Sequence, residues 1–170
     1  MAGTLRVGLG YDVHAFAAAG DARPLVLGGV QIPSERGLLG HSDADVLAHA
    51  VADAVLGALR AGDIGEHFPD TDPAFEGANS LALLARVGEM ARERGWRIVD
   101  VDTVVVAQVP RLSPYRDGMR AGLAGALGLA VEQVGVKATT TERLGFEGRG
   151  EGIGAHAVAL LEQPGEGCAC

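Results

Sequence analysis

The sequence predicts an α/β (α+β) sandwich, in which helices cover one face of a mixed β-sheet. Two patterns indicate this class: short β-branched or alternating apolar runs typical of strands, and segments of helical period that separate them. A third observation sets the size, because 170 residues with 48% hydrophobic content suffice for one buried core and are short for two. We therefore predict a single domain over residues 1–162 and a disordered tail over residues 163–170.

The first strand is predicted from Leu5, Val7 and Leu9, whose apolar side chains we expect to be buried. Residues 24–33 predict two short strands that turn at a Gly-Gly pair. Later strands are expected at residues 97–107, 134–139 and 153–161. Because helical segments separate these strands, the sheet is expected to be mixed.

Three helices are predicted between the strands, at residues 44–61, 80–94 and 115–127. Asp43 is the predicted N-cap of the first, and Asn79 or Ser80 of the second. Ser113 is the predicted cap of the third, because a proline follows it at the first helical position.

Composition narrows the possible partners and the compartment. A formal net charge of −8 argues against nucleic acid, which is bound by clustered Lys and Arg. No run of 18 apolar residues and no signal-peptide pattern is present, so we expect no membrane association and a cytoplasmic location. Cys168 and Cys170 are expected to be reduced thiols in the tail. With aromatic residues at 4%, the core must be built from small aliphatic residues, which makes oligomerisation plausible.

The strongest candidate site is a metal centre. Asp12 and His14 are two residues apart at the end of the first predicted strand, so their side chains project from the same face. His49, on the first predicted helix, can supply a third ligand. One carboxylate and two imidazoles form a zinc-type set that leaves a fourth position open, which is typical of a catalytic site. The alternative is that Asp12 or His14 caps a turn or satisfies a buried backbone group.

Two aspartates share the predicted helix face with His49. We expect Asp45, one turn earlier, to orient the His49 ring, and Asp53 to lie on a solvated face.

Two loops carry the remaining polar residues. Residues 62–73 lack periodicity, and we expect this loop to cover a substrate, anchored by Ile64 and Phe68. Its Asp63 and Asp70 can bind hydroxyl groups, or they can simply cap turns. The second loop, in residues 137–152, offers three threonines and an acid for phosphate oxygens and a hard cation, although it can also be a plain hairpin connection.

Six segments together resemble one family. Gly10–Phe16, His41–His49, Gly62–Gly65, Phe68–Asp72, Lys137–Glu142 and Gly145–Gly152 occur in the order found in the 2-C-methyl-D-erythritol 2,4-cyclodiphosphate synthase family. The resemblance spans roughly residues 5–161. It implies a homotrimer with active sites at the subunit interfaces. One departure is Ala44, which stands where glycine is common in the family and which we expect to be harmless on a helix.

The resemblance also implies roles for particular residues. Zinc is implied at Asp12, His14 and His49, a second cation (Mg²⁺ or Mn²⁺) at Glu142, and stabilisation of the transition state at His41 and Thr140. The implied substrate contacts are Asp12, His14, His41, Ser42, Asp63, Ile64, Gly65, Phe68, Pro69, Asp70, Thr71, Asp72, Ala107, Pro110, Leu112, Ser113, Thr139, Thr140, Thr141, Glu142, Phe146 and Arg149. Phe146 and Arg149 match positions that face the trimer axis, where an isoprenoid diphosphate can bind.

The implied activity is that of a cyclising phosphorus-oxygen lyase. It converts 4-diphosphocytidyl-2-C-methyl-D-erythritol 2-phosphate to 2-C-methyl-D-erythritol 2,4-cyclodiphosphate and CMP in non-mevalonate isoprenoid biosynthesis. Two alternatives remain open: a zinc phosphohydrolase that forms a linear product, and a trimeric protein that binds a metal or an isoprenoid diphosphate without turnover.

Overall fold

The computed structural model describes residues 3–165. Its strands are β1 (Thr4–Ala15), β2 (Leu25–Leu27), β3 (Val30–Ile32), β4 (Arg97–Val106), β5 (Val134–Thr139) and β6 (Gly152–Gln163). Four of them form one sheet in the order β1-β6-β4-β5, in which β4 and β5 are parallel and the other pairs are antiparallel. The hairpin of β2 and β3 is separate. The predicted mixed sheet is confirmed.

The helices are α1 (Val46–Leu59), α2 (Ile64–His67), α3 (Ser80–Glu93), α4 (Arg116–Leu127) and α5 (Gly145–Gly148). Helix α1 packs on β1 and β6, α3 packs on α1 and α4, and α4 packs on β5. These helices therefore cover one face of the sheet, as predicted. No helix within residues 3–165 combines the length and the apolar character needed to span a bilayer. Cys168 and Cys170 lie outside the described residues.

Strand β1 exists as predicted, but the prediction of its buried face is wrong. The side chains of Leu5, Val7 and Leu9 are 62%, 58% and 70% exposed, whereas Gly8 and Gly10 point towards α1. A Cβ atom at Gly8 would lie 1.9 Å from the Ala54 carbonyl oxygen, and one at Gly10 would lie equally close to that of Ala50. Because glycine has no side chain, the helix backbone can lie directly against the strand. The apolar residues are thus left on the outer face of the sheet.

Helix α1 begins two residues later than predicted. Asp45, not Asp43, is its N-cap, and the Asp45 carboxylate accepts the Ala48 N–H at 3.0 Å. The same carboxylate accepts the N–H groups of Gly28 at 2.9 Å and Gly29 at 2.7 Å, so it also fixes the hairpin turn. Burial raises the pKa of Asp45, while these backbone donors act in the opposite direction.

Ala44 does not lie on the helix, contrary to our expectation. Its φ of 57° places it in the left-handed region just before the N-cap, a conformation that favours glycine. Alanine at this position therefore has a strained backbone, which a glycine would adopt without steric cost.

Helix α3 has the predicted Asn79 cap and nearly the predicted length. The predicted cap of α4 is wrong, because Ser113 lies in a 3₁₀ turn (Ser113–Tyr115) that precedes the helix. The Ser113 hydroxyl instead accepts the Arg111 Nε–H at 2.9 Å.

The contact between α1 and β1 makes a direct prediction. Gly8→Ala should lower the free energy of unfolding by about 3 kcal/mol or more, because the new Cβ meets helix backbone that cannot move alone. Urea denaturation of the metal-free protein at fixed protein concentration measures this. The matched control is Gly57→Ala on α1, whose Cβ would meet only the Leu9 carbonyl oxygen, at 3.7 Å. That variant should be neutral or slightly more stable. Equal effects of the two substitutions would contradict the prediction.

Candidate metal centre

The structure brings the three predicted metal ligands together. Asp12 and His14 share one face of β1, and His49 reaches them from α1, which packs on that strand. The Asp12 Oδ2 atom lies 3.0 Å from His49 Nδ1 and 3.1 Å from His14 Nε2. The two ring nitrogens are 3.2 Å apart. Three atoms that could act as metal ligands therefore lie close together.

These separations fit a bound cation. Ligands held tetrahedrally at about 2.0–2.1 Å from a divalent cation are separated by about 3.3 Å. Three donor atoms packed this closely repel one another unless protons or a cation lie between them, and carboxylate with imidazole is a suitable set for first-row cations. The predicted triad can therefore hold a metal ion.

The ring of His14 is held by the backbone. Its Nδ1 atom lies 2.6 Å from the Leu39 carbonyl oxygen, which can only accept a hydrogen bond. Nδ1 therefore carries the proton, and Nε2 presents its lone pair to the triad.

The expected role of Asp45 is wrong, because its carboxylate is occupied by backbone N–H groups. The other nitrogen of His49, Nε2, lies 2.8 Å from the Ser80 hydroxyl and 3.3 Å from that of Ser42. Sequence reasoning considered Ser80 only as a helix cap. No local pattern links it to His49, which lies 31 residues earlier in the chain.

Charge and burial compete at the triad. Burial acts to raise the pKa of Asp12, but hydrogen bonds with His14 and His49 outweigh it and hold that pKa well below its ordinary value of 3.8. Burial acts to lower the pKa of His14, but its interactions with Asp12 outweigh burial and raise the pKa above the ordinary 6.5. Without metal, the site therefore favours an ionised Asp12 beside a protonated His14.

The triad opens into a cavity of about 430 Å³. Its lining residues are Asp12, His14, Gly40, His41, Ser42, His49, Ile64, Gly65, Phe68, Pro69, Asp70, Phe75 and Leu83. Arg23, which we did not predict, holds the wall that carries His41, because its guanidinium donates to the carbonyl oxygens of Gly40 at 2.9 Å and Ser42 at 2.6 Å. Many of the predicted substrate contacts thus surround the triad.

The loop beside this cavity contains more regular secondary structure than we expected. It contains α2 and a 3₁₀ turn (Pro73–Phe75), and Ile64 and Phe68 pack against the core as predicted. The prediction that Asp53 lies on a solvated face is wrong, because its carboxylate is partly buried and accepts the Ile64 N–H at 2.7 Å. Asp63 caps α2, and Asp72 caps the 3₁₀ turn. The position of α2 is thus tied to α1.

A second group of predicted residues lies elsewhere. Because β4 and β5 are parallel, with Val106 opposite Thr139, the segments that follow them meet at one edge of the sheet. They line a cavity of about 500 Å³, formed by Ala107, Gln108, Val109, Pro110, Arg111, Leu112, Ser113, Ala138, Thr139 and Thr140. None of these residues lines the triad cavity.

Glu142 lies next to this second cavity. The Thr140 hydroxyl donates to its Oε1 atom at 2.7 Å. Glu142 and Arg143 both have left-handed backbones, with φ of 52° and 67°. Two adjacent non-glycine residues in this region cost free energy, and such strain is typical of functional sites.

The remaining predicted contacts line neither cavity: Asp63, Thr71, Asp72, Thr141, Glu142, Phe146 and Arg149. Phe146 belongs to α5, and the Arg149 guanidinium forms a two-point ion pair with Glu151 at 2.8 and 3.0 Å. A single chain therefore does not bring all of the predicted residues into one site.

Comparison with known proteins identifies the family. A model of the YgbB family matches residues 5–162. The chain belongs to this family. Among curated relatives, the 2-C-methyl-D-erythritol 2,4-cyclodiphosphate synthase of Pelotomaculum thermopropionicum is 59% identical over 162 residues, which cover 95% of this chain and 98% of the relative. The resemblance found in the motifs is confirmed.

Solved structures support the same grouping. The bifunctional IspDF of Campylobacter jejuni is 44% identical with a TM-score of 0.90, and the match covers 95% of this chain but 43% of that one. This YgbB-family chain thus spans less than half of the bifunctional protein. IspF of Plasmodium falciparum, solved as a CDP complex, is 34% identical with a TM-score of 0.82, covering 95% and 97% of the two chains.

The titration of the triad predicts how metal binding depends on pH. Below its raised pKa, His14 carries a second proton, on Nε2, which a cation must displace. Affinity should therefore weaken about tenfold for each unit of pH below that pKa. Competition with a chromophoric chelator between pH 5 and 8 measures this affinity. His49→Ala should abolish stoichiometric binding of the cation. His67→Gln, which replaces a histidine outside the triad, should not. Unchanged affinity in His49→Ala would refute the ligand assignment.

The stability of the metal-free protein should depend on pH in the opposite direction. The raised pKa of His14 stabilises the fold fully below pH 6.5, and this contribution is lost as pH rises through that pKa. The lowered pKa of Asp12 contributes above 3.8, and its contribution is lost as pH falls. Above pH 6.5, thermal unfolding should therefore show a loss of stability with rising pH for the metal-free protein and none for the metal-saturated protein, in which His14 Nε2 is already deprotonated.

Proposed function

We propose that this YgbB-family chain is a 2-C-methyl-D-erythritol 2,4-cyclodiphosphate synthase. It converts 4-diphosphocytidyl-2-C-methyl-D-erythritol 2-phosphate to 2-C-methyl-D-erythritol 2,4-cyclodiphosphate with release of CMP. The observation that carries the proposal is the converged triad of Asp12, His14 and His49 in a cavity, within a chain whose curated relatives bear this name over nearly their whole length.

The chemistry requires no protein nucleophile. An oxygen of the 2-phosphate attacks the β-phosphorus of the diphosphate, and a new P–O bond closes the ring. The bond between the β-phosphorus and the oxygen bridging to the α-phosphorus breaks, and that oxygen leaves with CMP. The chain must therefore fold a flexible substrate so that the two phosphates meet in line, and must offset their negative charge.

Two cations offset this charge in the proposed site. Zinc held by Asp12, His14 and His49 would polarise a phosphoryl oxygen, and Mg²⁺ or Mn²⁺ held by Glu142 would spread charge over the diphosphate. Such cations would also allow a chain with a net charge of −8 to bind a polyanion. His41, exposed on the cavity wall, would donate a hydrogen bond to the reacting phosphates as charge shifts towards CMP. The Thr140 hydroxyl donates to Glu142, and its proton would become available to the phosphates once Glu142 binds its cation.

The two cavities divide the remaining contacts. The triad cavity, with α2 as its wall, holds the erythritol and its phosphates. The cavity that follows β4 and β5 holds the cytidine against residues 107–113 and Thr139. CDP is bound in the solved IspF of Plasmodium falciparum, which supports a cytidine ligand here.

We also propose that the chain forms a homotrimer whose neighbouring subunits complete each site. Five large hydrophobic side chains of β1 lie exposed on the sheet face opposite α1, namely Leu5, Val7, Leu9, Tyr11 and Val13. Such a contiguous apolar row is typical of a surface covered by another protein. The two cavities share no residue, so a second copy can bring them together. Phe146 and Arg149 then face the trimer axis, where they bind an isoprenoid diphosphate.

Phosphorus NMR of the reaction tests the proposed function. With the substrate, zinc and magnesium, the proposal predicts a cyclic diphosphate and one equivalent of CMP. Inorganic phosphate or another linear product would indicate a zinc phosphohydrolase. An unchanged substrate in the presence of bound metal would indicate a binding protein without turnover.

Glu142 should be needed for chemistry more than for folding. Glu142→Gln keeps the shape and removes the charge, so kcat should fall about 100-fold or more. The melting temperature and the zinc content should stay nearly unchanged. Glu132→Gln, in the turn before β5, is the control of equal charge change and should keep full activity. Normal turnover of Glu142→Gln at limiting magnesium, or early melting, would rule out this role.

The proposed homotrimer predicts the mass of the protein in solution. Light scattering should give three times the chain mass of 17.4 kDa at micromolar concentration. Leu9→Glu should shift the protein towards monomer, because it places a charge in the covered row. A monomer mass for the unaltered protein would contradict the proposal.

A further inference from the structure

A buried hydroxyl group lies behind the metal triad. Ser80, the first residue of α3, is 1% exposed, and its Oγ atom lies 2.8 Å from His49 Nε2. The same oxygen is hydrogen-bonded to the Asp43 carboxylate, which also accepts the Ser80 N–H at 3.1 Å. Asp43, Ser80 and His49 therefore form a continuous chain of hydrogen bonds that ends at Asp12 and His14.

The direction of these hydrogen bonds follows from the chemistry of the groups. An ionised carboxylate can only accept, so the single hydroxyl proton of Ser80 is donated to Asp43. Ser80 Oγ must then accept from His49, which places a proton on Nε2. The neutral imidazole consequently presents the lone pair of Nδ1, and Nδ1 is the atom 3.0 Å from Asp12 Oδ2.

Comparison with Ser42 shows why the hydrogen bond between Ser80 and Asp43 matters. The Ser42 hydroxyl lies 3.3 Å from His49 Nε2 and 3.4 Å from Ser80 Oγ, and it accepts the Ala44 N–H at 3.2 Å, so its proton can be donated to either of the first two atoms. A proton donated by Ser42 to Nε2 would require the opposite tautomer, with a proton on Nδ1 where a cation would bind. Ser80 is closer to the ring than Ser42, and its proton is already committed to Asp43.

We propose that Ser80 and Asp43 are positioning residues that fix the tautomer and the ring orientation of His49, and thereby set the affinity of the site for a divalent cation. This inference rests on the metal-binding role of the triad in the proposed function, and it does not depend on which reaction follows. Outer contacts of this kind change metal affinity about 10–100-fold.

Zinc affinity, measured by competition with a chromophoric chelator at pH 7.5, tests the proposal. Ser80→Ala should weaken binding about 10–100-fold, and Ser80→Thr, which keeps the hydroxyl, should restore most of the affinity. Asp43→Asn should also weaken binding, because the amide oxygen is a weaker acceptor and the amide N–H can instead donate to Ser80 Oγ, which frees the Ser80 proton. The matched control, Ser34→Ala, removes an exposed hydroxyl that does not line the triad cavity and should have no effect.

Nitrogen-15 NMR of the zinc-loaded protein supplies a readout that a merely structural role would not change. The His49 Nε2–H signal should be protected from exchange in the unaltered protein and lost in Ser80→Ala. Thermal unfolding of the metal-free variants, run in parallel, separates loss of fold from loss of affinity. The proposal would be overturned if Ser80→Ala kept full zinc affinity while His49→Ala lost it. It would also be overturned if Ser80→Ala lowered the melting temperature without changing zinc affinity.

The result is distinguishable from failure of the proposed function. Weakened zinc binding in Ser80→Ala supports the positioning role even if phosphorus NMR detects no cyclic product. A protein that cyclises its substrate but binds zinc equally well with and without the Ser80 hydroxyl keeps the function and loses this inference. Absence of stoichiometric zinc binding in the unaltered protein would overturn both.

Discussion

The direct contact between α1 and the glycine face of β1 is the constraint on which the metal centre depends. Without side chains at Gly8 and Gly10, the helix backbone approaches the strand closely enough for His49 to reach Asp12 and His14. A larger residue on this face would displace the helix and its imidazole together. The same contact reverses the burial of β1, since its large apolar residues must then lie on the outer face. The geometry of the triad and the exposed apolar row on the outer face of β1 therefore have one origin.

The topology places the proposed phosphate-binding groups and the candidate metal ligands in separate parts of the chain. The parallel pair of β4 and β5 brings the segments after them to one edge, where Thr140 and the left-handed Glu142 lie. The triad belongs to β1 and α1, and the two cavities have no lining residue in common. A reaction that joins two phosphates needs both sets of groups within a few ångströms. In the proposed homotrimer, association of copies through the outer face of β1 would satisfy this requirement.

Local sequence patterns predicted most helices and strands but not which of their faces are buried or what they contact. The alternation of Leu5, Val7 and Leu9 correctly indicated a strand, yet alternation does not specify which face a helix covers. Asp43 was the predicted cap of α1, but Asp45 caps it and also binds the hairpin turn, a contact that no local pattern contains. The triad could be predicted because its ligand types are distinctive. Ser80 could not, since its contact with His49 is set by the packing of α3 on α1.

The central claim is that each site combines the triad of one subunit with Glu142 of its neighbour, and mixed trimers of two inactive variants test it most directly. Chains carrying His49→Ala or Glu142→Gln, each with a different affinity tag, are co-expressed, and assemblies that hold both are purified. In such a trimer one interface of three pairs an intact triad with an intact Glu142, so we predict about one third of the unaltered activity. Mixed trimers without activity would contradict the claim.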